Sequence, residues 1–247
     1  MNPADTPNTS ATRPGGRAGN ASTALQAHWR TLDAGQLQQV WQEARAGVAA
    51  FRVVTRRFGS PIQAWVRGQA MHRDAHYPAT DVVDTDSGSQ YFYHAHRHGD
   101  REHGHLHLFW HARADGRRWR HRARRAPAGG ASHLLAIGLD DRGVPLSLFT
   151  VNRWVTDGGW FNAAQTLRMV DRFQPGPVSG YTDVNRWLVS FLRLYRPAVA
   201  TLLARRDGRL SRCHADDPLS DTKLEVLSRL EVDWLADLAH LEHLCAP

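Results

Sequence analysis

Hydrophobic spacing along the chain changes period twice, from helical to alternating and back to helical. Leu37, Val40, Trp41, Ala44, Val48 and Phe51 follow Asp33 at intervals of about three to four residues. That pattern predicts a helix with one buried face, capped by Asp33 and stopped at Gly59. Ser60 and Pro61 predict a second, shorter helix to about Gly68. "HYPATDVVDTDSGS" reads as a turn-rich exit from it, with Asp84 and Asp86 as turn formers. At Gln90 the period drops to two. Phe92, His94, His96 and His98 share one side, with Tyr91, Tyr93, Ala95 and Arg97 on the other. After "GDRE" the alternation resumes, setting His103, His105, His107, Phe109 and His111 against Gly104, Leu106, Leu108 and Trp110. A loop over Gly99 to Glu102 makes this a hairpin that pairs His98 with His103, His96 with His105, His94 with His107 and Phe92 with Phe109.

"HLLAIGLDDRGVPLSLFTVNRW" predicts a second hairpin around "DDRG", with strands apolar enough to be covered on both faces. The Arg-rich stretch 113–125 between the hairpins reads as an exposed loop. Helical spacing then returns over Trp160 to Phe173, and again from Asp183 through Trp187, Phe191 and Tyr195, where Pro197 kinks or restarts the helix. A last helix opens near Ser220 with Leu227, Leu230, Trp234, Leu238 and Leu241 on one side. The pattern predicts an α+β fold, an antiparallel β-meander of four to five strands packed against N-terminal and C-terminal helices. Residues 1–24, rich in Pro, Gly, Asn, Ser and Thr, read as a disordered tail, and 25–247 as a single domain carrying the His-rich β-hairpin at 90–111.

Composition narrows the function less than the pattern does. A chain of 247 residues with 42% hydrophobic content can bury a sizeable core. The formal charge of +7 would favour a polyanion, but the basic residues are arginine apart from Lys223 and are offset by 24 acidic residues. Cys213 and Cys245 form no Cys-x-x-Cys motif and no disulfide framework, which suits a reducing cytoplasm. No segment has the apolar length of a signal-peptide core or a membrane span. The expected setting is therefore cytoplasmic, without a membrane partner.

The chemistry concentrates in the first hairpin, where seven of the fifteen histidines fall within residues 91–111. Neutral imidazole binds zinc, copper or iron, and opposed residues on antiparallel strands bring their side chains within reach of one centre. His94, His96, His105 and His107 are the expected metal ligands, with Glu102 and His133 as weaker candidates. His98 and His103, next to the turn, are expected in solvent. A polar face with no metal is the competing interpretation, but clustered imidazoles repel on protonation and Thr, Lys or Glu would serve solubility better. Three ligands leave an open position that can activate water or dioxygen, which points to a metal-dependent oxidoreductase or hydrolase with a small-molecule substrate; four closed ligands point to a structural zinc. The pattern does not choose among iron, copper and zinc.

"HAHRHGDRE" resembles the first cupin motif through His96, His98 and Glu102, but Phe109 stands where that motif has glycine and no second motif follows. His105-Leu106-His107 resembles the HUH pair of replication initiators, relaxases and single-strand transposases. That likeness implies single-stranded DNA nicking or binding, with Tyr195 as nucleophile, Tyr181 behind it, and the arginines of 113–125 on the strand. Tyr195 also continues the Trp187 and Phe191 stripe, which makes it a core residue. "SQYFYHAHR", "REHGHLHLF" and "LFTVNRWVT" together resemble an uncharacterised bacterial protein family, a domain of unknown function, over most of the chain after the tail.

Overall fold

The computed structural model describes residues 19–72, 75–95, 101–111 and 130–246. Among them, seven strands form one sheet, β1 (Gly19–Asn20), β2 (His76–Asp84), β3 (Ser89–Ala95), β4 (Gly104–Trp110), β5 (Ser132–Leu139), β6 (Pro145–Val151) and β7 (Val226–Glu231), in the order β1-β7-β6-β5-β4-β3-β2. The mixed α+β class agrees with the hydrophobic pattern, whereas the expected count of four to five strands is too low. Strands β2 to β7 are antiparallel neighbours, and β1 adds to β7 in parallel.

Two of the additional strands have a physical reason for escaping the pattern. β2 carries a register break between Tyr77 and Val82, so its alternation is interrupted inside the turn-rich stretch. β7 lies where Leu227 and Leu230 mimic the first turn of the last helix, since a short apolar run fits either period. The helix itself, α8 (Trp234–Cys245), starts later, with the Asp233 side chain accepting the Ala236 N–H. At the other end, Gly19–Asn20 and the first turn of α1 (Ala21–Trp29) are ordered elements within residues 1–24, which composition assigns to the tail. Asn20 caps α1 by accepting the Ser22 N–H.

The remaining helices follow local chemistry closely. α2 (Ala34–Phe58) begins with a reciprocal capping box between Asp33 and Gln36 and ends at Gly59, whose φ of 88° needs a residue without Cβ. α3 (Pro61–Val66) is capped by Ser60. The short α4 (Arg153–Thr156) follows β6, and α5 (Ala163–Arg172) is capped by Asn162. α6 (Thr182–Leu194) stops at Tyr195 and α7 (Arg196–Leu210) restarts at once, with Pro197 in its first turn where the missing N–H costs little. No helix among the described residues is long and apolar enough to cross a membrane.

Apart from the short α4, the helices among the described residues pack on one sheet face. Tyr91, Tyr93, Leu106, Leu108, Ile137, Leu148 and Leu230 point into a core shared with Trp65, Trp187 and Phe191. On the opposite face the packing residues are Phe149, Ala136 and Val151, backed by Val155 and Val226. On β3 and β4 the alternation therefore sends Tyr91, Tyr93, Leu106 and Leu108 to the helices and His94, His105 and His107 to the other side.

One buried carboxylate lies in the helical layer. Asp237 is 2% exposed and accepts the Tyr195 hydroxyl, joining α8 to the α6–α7 junction. Burial pushes the Asp237 carboxyl above its ordinary 3.8, although hydrogen bonds from Tyr195 and Ser22 pull it back. A carboxyl whose pKa is higher in the folded state contributes most stability in its protonated form, and that contribution is lost as pH rises from 3.8 through the higher folded value. Asp237→Asn is expected to flatten this falling limb, as read by urea midpoints across pH 3 to 7. An unchanged pH profile would contradict it.

Candidate functional site

The site grows from the register of β3 on β4. Ala95 lies opposite Gly104, so His94 faces His105 and Phe92 faces His107. This is two residues away from the expected pairing, His94 with His107 and Phe92 with Phe109. A slip of two preserves which face each side chain occupies, so alternation could not distinguish the two registers. Close packing can: a Cβ on Gly104 would stand 2.3 Å from the Tyr93 hydroxyl and 2.4 Å from the His94 carbonyl, so glycine fits this pairing.

Three of the expected residues come together. The His94 and His105 rings are stacked with centroids 5.4 Å apart, and His107 stands nearly perpendicular to both, 4.5 Å from His105 and 6.3 Å from His94. Phe92 and Phe149 pack against the cluster, at 5.2 Å from His107 and 5.1 Å from His105. His105 and His107 are buried. Among the described residues, no three His, Cys, Asp or Glu side chains are already gathered as a metal-holding group. Cys213 and Cys245 are free thiols.

The two weaker candidates both touch the cluster. His133, at the start of β5, places Nε2 3.1 Å from His107 Nδ1, so one ring donates to the other. Glu102 does not point simply into solvent, as its place in the turn suggests. Its Oε1 accepts from His105 Nδ1 at 3.2 Å, and its Oε2 accepts from Arg229 Nη2 at 2.8 Å and the Ser147 hydroxyl at 3.2 Å. Gly138 makes the room, because a Cβ there would meet Glu102 Oε2 at 2.3 Å and Ser147 Oγ at 2.4 Å.

Electrostatics favour the neutral forms of His107 and His133 and the charged form of Glu102. Desolvation, then the neighbouring His105, His133 and His94, hold His107 well below the ordinary 6.5. Desolvation, followed by His105 and Arg206, brings His133 down to about 3. Burial alone would raise Glu102, but the His105 hydrogen bond and the Arg229 charge outweigh it and hold Glu102 at about 2. Neutral imidazoles keep the lone pair that a metal needs.

The other expected residues lie elsewhere. His96 and His98, like the Arg-rich stretch 113–125, fall outside the described residues. His103 turns to the helical side, where its Nδ1 meets the Tyr93 hydroxyl at 2.6 Å, instead of standing in solvent. Tyr195 is 0% exposed, gives its hydroxyl to Asp237, and belongs to the core across the sheet from the histidines. Tyr181 is part of that core as well. The sheet thus separates both tyrosines from the His105–His107 pair.

The pattern missed three polar residues on the histidine face, His76, Asp81 and Gln90. His76 is paired across β2 with His94, and its Nδ1 lies 3.1 Å from Asp81 Oδ1. Gln90 donates to Asp81 Oδ2 at 2.6 Å and its Oε1 lies 2.6 Å from His111 Nε2. The β2 register break hid His76 and Asp81; the alternation already sided His111 with the cluster.

Neither the curated proteins nor the solved structures contain a match to this chain. A family model described as a domain of unknown function, DUF6969, matches residues 41–232, from within α2 to just past β7. That is more than half of the sequence, and the chain belongs to this family of domains of unknown function.

Proposed function

We propose that the chain is a metal-binding protein, a non-haem metalloenzyme acting on a small molecule, with His94, His105 and His107 as ligands. The observation that carries this reading is how the Nδ1 atoms of the two β4 histidines are engaged. His105 Nδ1 lies on Glu102, and His107 Nδ1 lies on His133. With those protons on Nδ1, both rings offer Nε2 as the ligand nitrogen, and the partner behind each ring fixes its tautomer, as in carboxylate–histidine–metal arrangements.

The fit of the donor set supports the same reading. Ligand nitrogens at about 2.0–2.1 Å from one cation stand roughly 3 Å or a little more from each other. The ring centroids stand 4.5, 5.4 and 6.3 Å apart, so binding one cation requires the rings to turn toward a common centre. The Gly138 cradle lets Glu102 act from behind His105, which makes it a positioning residue, not a ligand. His133 has the same part toward His107. A bound iron, copper or zinc would supply Lewis acidity, or redox chemistry in the first two cases, at an open position. Phe92 and Phe149 keep water away from that side of the rings.

Elemental analysis of the full chain purified without an affinity tag tests this. About one transition-metal ion per chain is expected, and its loss in the His105→Ala/His107→Ala double variant with the fold intact by circular dichroism. Metal-free wild type that also fails to take up added iron, copper or zinc would show a hydrogen-bonded imidazole face and overturn the proposal.

A further inference from the structure

His94 has a carboxylate-held imidazole on each side of it along the sheet. On β4, Glu102 holds His105; on β2, Asp81 holds His76, with Oδ1 3.1 Å from Nδ1. Strand pairing sets His76, His94 and His105 in one row across three strands. The His76 ring lies flat on Phe92, centroids 3.5 Å apart and planes within 10°, which fixes its orientation, and its centroid is 6.5 Å from His94.

The backbone at Asp81 is bent to make this contact. Asp81 has φ of 53°, a left-handed conformation uncommon outside glycine, and it sits in the register break between Tyr77 and Val82. Such a residue persists where its surroundings hold it. Here Gln90 grips the second carboxylate oxygen at 2.6 Å while the first faces His76. A left-handed residue whose carboxylate orients an imidazole beside a histidine cluster marks that imidazole as a candidate member of the site.

We infer that His76 is a fourth nitrogen ligand, positioned by Asp81, an inference that rests on the metal site proposed above. With Nδ1 committed to Asp81, Nε2 is the donor His76 offers. Its side chain is 44% exposed, so it forms the solvent-side member of the set. Four nitrogens close a tetrahedral zinc, whereas an ion accepting five or six ligands keeps room for a substrate.

Copper(II) added to metal-free, untagged full chain is the probe, read by electron paramagnetic resonance for the number of coupled nitrogens and by titration for affinity. Wild type should show four nitrogens, and His76→Ala and His76→Gln three, with unchanged stoichiometry and weaker binding. Asp81→Asn should keep four while binding about 10–100-fold more weakly. Three nitrogens in wild type, or four in both His76 variants at wild-type affinity, would overturn the role of His76 and leave the three-histidine site standing. Failure of wild type to bind stoichiometric copper would overturn both. Using two His76 substitutions, each checked for fold by circular dichroism, keeps a misfolded variant from deciding the result.

Discussion

Trp187→Ala is expected to lower the unfolding free energy by about 3–5 kcal/mol, the cost of deleting a large aromatic side chain from a packed core. Trp187, on α6, is 0% exposed and sits where α2, α3 and α8 meet that helix. Its ring lies edge-on to Phe51 of α2 at 5.4 Å and to Trp234 of α8 at 6.3 Å, and tilted against Trp65 of α3 at 6.4 Å. No single neighbour can move in to fill the space without leaving another. Its indole Nε1 has no hydrogen-bond partner among the described residues, so Trp187→Phe removes an unsatisfied donor along with volume and should cost less than the alanine variant. Urea denaturation of both variants checks this. A loss under about 1 kcal/mol for Trp187→Ala would contradict the packing described, because surface substitutions fall in that range.

Glu102→Ala is expected to affect stability and metal binding by separate routes. Deleting the carboxylate leaves Arg229, Ser147 and the His105 Nδ1–H without their shared acceptor. Loss of such an acceptor costs about 1–3 kcal/mol for buried groups, and the lower end applies because the Arg229 side chain is 37% exposed and reaches Glu231 as well. The larger effect is on the ring. Without Glu102, His105 can rotate or protonate on the wrong nitrogen, and the loss of such a partner typically weakens metal binding 10–100-fold. Glu102→Gln keeps an acceptor oxygen for His105 and should recover part of the affinity. Thermal melts and metal titrations of the two variants separate these effects. Equal metal affinity in wild type and Glu102→Ala would show that the carboxylate does not position His105 for a metal.

The sequence carried the site's face but not its pairing. Strict alternation sorts His94, His105 and His107 from Tyr93, Leu106 and Leu108, and burial of the latter against helices turns the former to the other side. Register was decided by contacts that alternation does not encode, above all the close approach of Tyr93 and His94 to Gly104. Glu102 illustrates the same limit: its place beside a turn suggested solvent, and only the missing Cβ of Gly138, 36 positions along the chain, gives its carboxylate a seat. His76 and Asp81 were hidden because a break in β2 interrupts the period on which strand recognition depends. The helices were more legible, since Asp33, Ser60 and Pro197 act within a turn of their own positions. β7 was misread because Leu227 and Leu230 satisfy helical spacing as a prelude to α8, and only pairing with β6 decides between the two.

X-ray absorption at the edge of the metal that accompanies untagged protein tests the central claim most directly, since it counts and identifies the atoms around the ion. Imidazole nitrogens at about 2.0–2.1 Å are predicted, with the imidazole signature lost in His105→Ala/His107→Ala. A shell of water or carboxylate oxygens alone, or an imidazole shell that persists in that double variant, would contradict a metal held by the histidines of β3 and β4.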